Sequence, residues 1–425
     1  MPGSGWIRSA FLLVNATLGA GLLNFPMAYH QAGGVLTAMT VQSICVAVMV
    51  LTVFIMGYCA TVKGSNTYQD VVLSLCGPKA QLACAVCILL HCFVFCISFL
   101  IIIGDQWELF FFKVAQDIYC TTHPIYMRRA FIISVTAVVL ILPLCFTKRI
   151  DFLIYTSIAG VISSLYLAML VTTKYFLPHD TPDTITTEPR SWVDIFLVLP
   201  NVCLGYDCHI EIIAIYSCMA KRNMREFSKT VTLALIVCIV FYTLTAALGY
   251  LQFGDDIAND ILLSFKPTAE VMVAVVLVAV KVCTSYPIIC YCGKTAFETV
   301  WRMFWKMSPE DMLYSEKTRR VITTLVWFTL TLISSVFVPN IGVAIQILGG
   351  LSAFCVFVFP GLCLLKLMQS RTETVEKQAM KHHILTGTAV VLVIVGVFLL
   401  GQISVQVIVK NIQGETTDSS RFTCS

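Results

Sequence analysis

Eleven stretches of apolar residues, each close to the length that crosses a bilayer as helix, divide this chain almost from end to end. A hydrocarbon core of about 30 Å takes about 20 residues of helix. The stretches lie at 7–30, 35–60, 80–104, 129–147, 153–176, 192–217, 229–252, 269–293, 320–338, 341–366 and 384–409. Peptide groups in hydrocarbon cannot turn to water, so such stretches must close their own hydrogen bonds as helices. The expected fold class is an all-α multi-pass membrane protein with about eleven transmembrane helices. Composition agrees, with 58% hydrophobic and 12% charged residues where soluble domains carry roughly 45–50% and about 25%. A net charge of +4 offers no basic footprint for nucleic acid, so the expected surroundings are the lipid bilayer. Most of the nineteen cysteines, Cys84, Cys87, Cys92 and Cys96 among them, sit in apolar runs as small hydrophobes.

Orientation follows from Lys and Arg, which accumulate in cytoplasmic loops. With the N-terminus in the cytosol, nineteen of the twenty-eight fall on that side, including Lys221, Arg222, Arg225 and Lys229, and eight on the other. One, Lys281, lies near the middle of a span, away from either end. Among acidic residues, only Asp207 and Glu211 fall within an expected span away from its first few residues. Cys120 and Cys424 are the cysteines expected outside the cytosol, which allows at most one structural disulfide. The first stretch has no small-residue cleavage site, which argues against a signal peptide. Its six preceding residues are short for a cytosolic leader, and a trimmed or missing one is expected. The longest loops, 105–128, 177–191 and 294–319, are too short for a soluble domain. Lys317, Arg319 and Arg320 with the acidic 310–316 run read as a solvated loop.

Two spans are poor as continuous helices. Residues 15–26 read NATLGAGLLNFP, and residues 200–209 read PNVCLGYDCH. Gly19 and Gly21 each weaken a helix by about 1 kcal/mol relative to Ala, and proline removes a donor. Irregular backbone at membrane depth is tolerated only where it lines a protein-enclosed cavity. These are the first and sixth spans, and five is odd, so the sixth enters from the opposite face. Spans six to ten then repeat spans one to five in inverted topology, with one span left over. Paired breaks at corresponding positions point to a transporter's site, where half-helix N-termini suit a carboxylate and unwound carbonyls suit a small cation.

The runs NATLGAGLLNFPMAYHQAGG (15–34), TYQDVV (67–72), FLIIIGDQ (99–106), CLGYDCH (203–209), GYLQFG (249–254), TSYPI (284–288) and GGLSAFCVFVFPGLC (349–363) together resemble the sodium-coupled neutral amino acid transporter family. The resemblance implies a LeuT-like five-plus-five inverted repeat plus one extra helix, with helices 1 and 6 broken. The repeats would be 1–176 and 192–366, with the spare helix at 384–409 and no soluble domain. It implies secondary active transport of neutral amino acids, glutamine foremost, coupled to sodium or to protons, with no other cofactor. The lysosomal membrane is the implied location and the plasma membrane the alternative.

Carried over by residue, the resemblance implies that Gly19, Ala20 and Gly21 bind the substrate carboxylate, with Leu204, Gly205 and Tyr206 lining the other half of the pocket. Asn15, the carbonyl of Leu18, Thr284 and Ser285 would hold sodium, and Ser98 would help close one wall. Two residues depart from the family pattern. Asp207 stands where Gln or an apolar residue is expected, and Lys281 where a small or apolar one is. A charge at mid-bilayer costs about 2.5–3.5 kcal/mol or more and should find a partner. Lys281 would perturb or replace the sodium, or pair with Asp207, either linking transport to protons or only holding two helices together.

Rival functions leave weaker traces. Tyr206-Asp207 matches the YD pair of intramembrane aspartyl proteases, but the next span has no Asp, and Ile102-Ile103-Gly104-Asp105 lacks the first glycine of GxGD. A transport-like amino acid sensor would be told apart by binding without flux. No enzyme is expected.

Overall fold

Because each apolar run must satisfy its own peptide groups, the chain is built of helices, and the computed structural model shows where they start and stop. It describes residues 5–19, 21–121, 124–146, 152–178, 182, 184–189, 191, 192, 194–266, 268–305, 316–337, 341–370 and 379–413. Among these residues every regular element is helical. In order they are α1 (Trp6–Thr17), α2 (Gly21–Gln31), α3 (Val35–Lys63), α4 (Tyr68–Cys76), α5 (Pro78–Val114), α6 (Gln116–Thr121), α7 (Arg129–Thr136), α8 (Leu142–Cys145) and α9 (Phe152–Phe176). There follow α10 (Leu199–Gly205), α11 (His209–Ser217), α12 (Met224–Phe253), α13 (Ile261–Ser264), α14 (Ala269–Trp305), α15 (Glu316–Phe337), α16 (Ile341–Ala353), α17 (Phe359–Gln369) and α18 (Ala379–Gln413). A π-helical turn joins α7 to α8 and another joins α16 to α17.

Nine spans among the described residues are long and apolar enough to cross a membrane, and the bent pair α1–α2 makes up to ten. The fourth expected span is the shorter apolar helix Arg129–Cys145, only about 25 Å long at 1.5 Å per residue. The protein is thus a helical multi-pass membrane protein. Outward faces follow from the same physics: α15 presents Ile322, Leu325, Val326, Leu330 and Ile333 at helical spacing, all exposed, as lipid would require.

Several expected loops are helix. The third span does not end at 104, because α5 continues to Val114 and keeps Asp105 and Gln106 buried. Its side chains are matched there, Asp105 by Arg129 at 3.2 Å and Gln106 by Asp260 at 2.5 Å. Likewise α14 runs on to Trp305, and α15 begins at Glu316, so Lys317, Arg319 and Arg320 are helical. Arg319 lies 3.6 Å from Glu298. Cys84, Cys92 and Cys96 are buried and free, as small hydrophobes should be. Cys120 is disulfide-bonded, and Cys424 lies outside the described residues.

The α2–α3 turn explains the Gly33-Gly34 pair. Both have positive φ, at 82° and 113°, and a Cβ on Gly33 would fall 2.3 Å from Pro189. Only glycine allows that conformation and that approach together. The 184–189 segment therefore lies directly over the end of α2.

Candidate functional site: two broken spans side by side

The first break opens where the sequence is poorest in helix formers. The N–H of Leu18 still reaches Val14 at 2.8 Å, but that of Gly19 turns back to Thr17 at 2.7 Å, and that of Leu22 goes to Gly19 at 3.4 Å. Across this break α1 and α2 diverge by 58°. The Leu18 carbonyl has thus lost the Leu22 donor that a continuous helix would supply. Side chains reach the carbonyls of both Thr17 and Leu18. Tyr242 on α12 donates to Thr17 O at 2.9 Å, and Ser164 on α9 and Lys281 on α14 both reach Leu18 O.

The second break separates α10 from α11 at Tyr206–Cys208. Asp207 accepts from the His209 N–H at 3.4 Å, so its carboxylate caps the start of α11, where the helix dipole favours negative charge. His209 Nδ1 lies 3.6 Å and His91 Nε2 4.0 Å from the same carboxylate. The other nitrogen of His209 is bonded to Thr52 at 2.9 Å. The partners of Asp207 thus include two histidines and a helix terminus.

The breaks touch. A Cβ on Gly21 would stand 3.5 Å from the Cα of Gly205, and one on Gly205 would stand 2.6 Å from the Phe25 ring. α1 packs on α11 and α2 on α10, so the two broken spans run antiparallel. The Phe25 ring lies 4.2 Å from that of Tyr242, which lies 5.0 Å from that of Tyr206. Gln42 on α3 links the cluster: it donates to the Tyr206 hydroxyl at 2.9 Å and accepts from Tyr29 at 2.8 Å.

Of the residues expected to bind substrate, Gly19 is half-buried, whereas Gly21, Leu204, Gly205 and Tyr206 are buried. Ala20 lies outside the described residues. Phe95 on α5 would come within 3.9 Å of a Cβ on Gly19, so the third span does reach the break, through Phe95. Ser98 is buried and donates back to Val94 at 3.0 Å.

The residues expected to hold sodium are arranged differently from that expectation. Asn15 is half-buried with its Oδ1 set against Gly160 on α9. Thr284 donates to carbonyls of its own helix, Val280 at 3.0 Å and Lys281 at 2.9 Å. Ser285 is half-buried beside it. The Leu18 carbonyl, on which the ion would depend, faces the Lys281 ammonium. This donor set does not fit a sodium ion as it stands. The expected pair between Asp207 and Lys281 is not formed either. Asp207 turns to His91 and His209, while Lys281 turns to Leu18 and Ser164, because the two charges approach different halves of the break region.

Ser164, Tyr242, Gln42 and His91 escaped the sequence reading of the site. Ser163-Ser164 in the middle of the fifth span is the one sequence signal that could have found a partner for the break. Tyr242→Phe should destabilise the protein by about 1–2 kcal/mol, since Thr17 O loses one of its two donors in a buried place. The midpoint of thermal unfolding in detergent checks this, and an unchanged midpoint would mean that the bond contributes nothing.

A helical membrane protein whose two interrupted spans run antiparallel and meet glycine to glycine is built as a solute transporter is built. Residues 2–408 match the family described as transmembrane amino acid transporter protein. The chain is 36% identical over 416 residues to sodium-coupled neutral amino acid transporter 7 of Danio rerio, covering 96% of this chain and 88% of that protein. It is 37% identical over 400 residues to the Homo sapiens protein of the same name, covering 93% and 86%. To Homo sapiens solute carrier family 38 member 8 it is 35% identical over 409 residues, covering 93% and 91%. The chain belongs to the transmembrane amino acid transporter family, a family of transporters and not of enzymes.

Proposed function

We propose that this protein is a secondary active transporter that moves neutral amino acids, glutamine foremost, by alternating access at the two breaks. The two inverted halves, 1–176 and 192–366, rock about the site, and the helix at 384–409 packs outside them. The observation that carries this reading is the contact of Gly21 with Gly205, which brings both unwound segments to one place. The N–H groups opening α2 have no acceptor within their own helix and suit the substrate carboxylate. Carbonyls ending α10 suit its α-amino group. The driving gradient is that of sodium or of protons, the sodium choice coming from the relatives' names. The excess of Lys and Arg in alternate loops supports a cytosolic N-terminus, and the family resemblance supports the lysosomal membrane.

Radiolabelled glutamine flux into proteoliposomes tests the reading. Saturable uptake is expected, suppressed more strongly by unlabelled glutamine than by equal concentrations of alanine, asparagine or leucine. Saturable binding without flux would replace the transporter with a sensor.

A further inference from the structure

We propose that the ammonium group of Lys281 stands in the place of a coupling cation at the first break, so that amino acid movement needs no sodium there. The inference rests on the transport reading above and concerns which ion that transport uses.

Three elements converge on one carbonyl. Leu18 ends α1, Ser164 comes from α9 and Lys281 from α14, and α9 packs against both of the others. All three residues are buried. The carbonyl of Leu18 is an acceptor that the break has orphaned. Ser164 donates its hydroxyl proton to Gly160 O at 3.1 Å, or more weakly to Leu18 O at 3.5 Å, and keeps lone pairs for a cation. Lys281 Nζ contacts both Leu18 O and Ser164 Oγ. An ammonium has three donors and no acceptor, so it matches neutral oxygens as a small monovalent cation does.

The partners decide between a cation stand-in and a plain structural ion pair. A lysine that only ties helices together at membrane depth should meet a carboxylate. Asp207 is engaged elsewhere, and among the described residues no acidic side chain forms an ion pair with Lys281. Its hydrogen-bond partners are a peptide carbonyl and a hydroxyl, the oxygen types that a hard cation takes, and the Cys238 thiol is also close by. The nearby hydroxyl of Thr284 is directed to its own helix instead of toward Leu18. A second cation at Leu18 O would also sit against a like charge in low dielectric.

A tethered cation cannot dissociate on either side of the membrane. It holds α1 to α9 and α14 as a bound ion would, but a sodium gradient does no work through it. Solute movement must then run on another ion, the proton being the alternative, or on exchange for a second amino acid.

The test compares glutamine flux in proteoliposomes with sodium chloride or choline chloride outside. The expected result is that the wild-type rates agree within about twofold, since a ligand with no site shifts no equilibrium. A tenfold or greater fall without sodium, about 1.4 kcal/mol of coupling, overturns the proposal. Lys281→Ala should lose flux in choline and recover part of it in sodium, because the small ion enters the vacated position. Lys281→Ala that is inactive or active alike in both media counts against it.

Thermal unfolding of purified protein at matched ionic strength gives a second readout, independent of flux. The wild type should show no sodium-dependent shift, and Lys281→Ala a rise of a few degrees, as a ligand that binds the folded state gives. A sodium-dependent rise in the wild type overturns the proposal even where no flux is measured. Absence of amino acid flux in every medium would instead defeat the transport reading, leaving the lysine to be judged by this second measurement.

Discussion

Gly349→Ala should prevent the protein from accumulating as a folded monodisperse species. A Cβ at this position would lie 2.4 Å from the Cα, 2.5 Å from the carbonyl oxygen and 2.7 Å from the carbonyl carbon of Pro200. All three are backbone atoms, and Pro200 opens α10, the segment that leads into the second break. A clashing side chain can swing away, but here a helix would have to move, and α10 is held between α16 and α2. Inserting a methyl group into packed structure costs about 1–3 kcal/mol where side chains can adjust, and the cost here should be at least about 3 kcal/mol. Size-exclusion chromatography and thermal unfolding of the detergent-solubilised variant would show it. Wild-type yield and midpoint would mean that α10 and α16 do not meet as described.

Gly205→Ala should instead leave a folded protein with glutamine uptake reduced about tenfold or more, the equivalent of roughly 1–3 kcal/mol of overpacking. The added methyl would fall 2.6 Å from Phe25, a side chain with some freedom to yield. Phe25 is wedged against Tyr242, which in turn holds the Thr17 carbonyl, so any shift is passed to the first break. Uptake per reconstituted molecule is the measurement, with thermal unfolding as the control. Unchanged uptake would separate Gly205 from the transport path. The two glycines thus test different things: one the docking of α10 on α16, the other the meeting of the breaks.

Both breaks were readable because they are local. Gly19, Gly21 and Pro26 in one span, and Pro200 and Gly205 with Asp207 in the other, weaken hydrogen bonds that join residues four apart. The extension of α5 past 104 was not readable, because Asp105 and Gln106 look like a loop until Arg129 and Asp260 are brought beside them. Gly349-Gly350 entered only through a family resemblance. Its physical reason is the backbone of Pro200, about 150 residues away in the chain, and nothing nearby announces it.

Lys281 marks the division most sharply. Its charge in an apolar run required a partner, and that requirement is a property of the sequence and the membrane alone. The only carboxylates foreseen at that depth were Asp207 and Glu211, so pairing by charge suggested Asp207. Tertiary packing decided otherwise, because the rotation and register of α14 against α9 and α1 bring Nζ to Leu18 and Ser164. Sequence by itself therefore determined the helical class, the apolar spans and the places where two of them must break, since these depend on neighbours along the chain. Only the folded structure decided which side chains answer the broken carbonyls, since that depends on how separate helices turn toward one another.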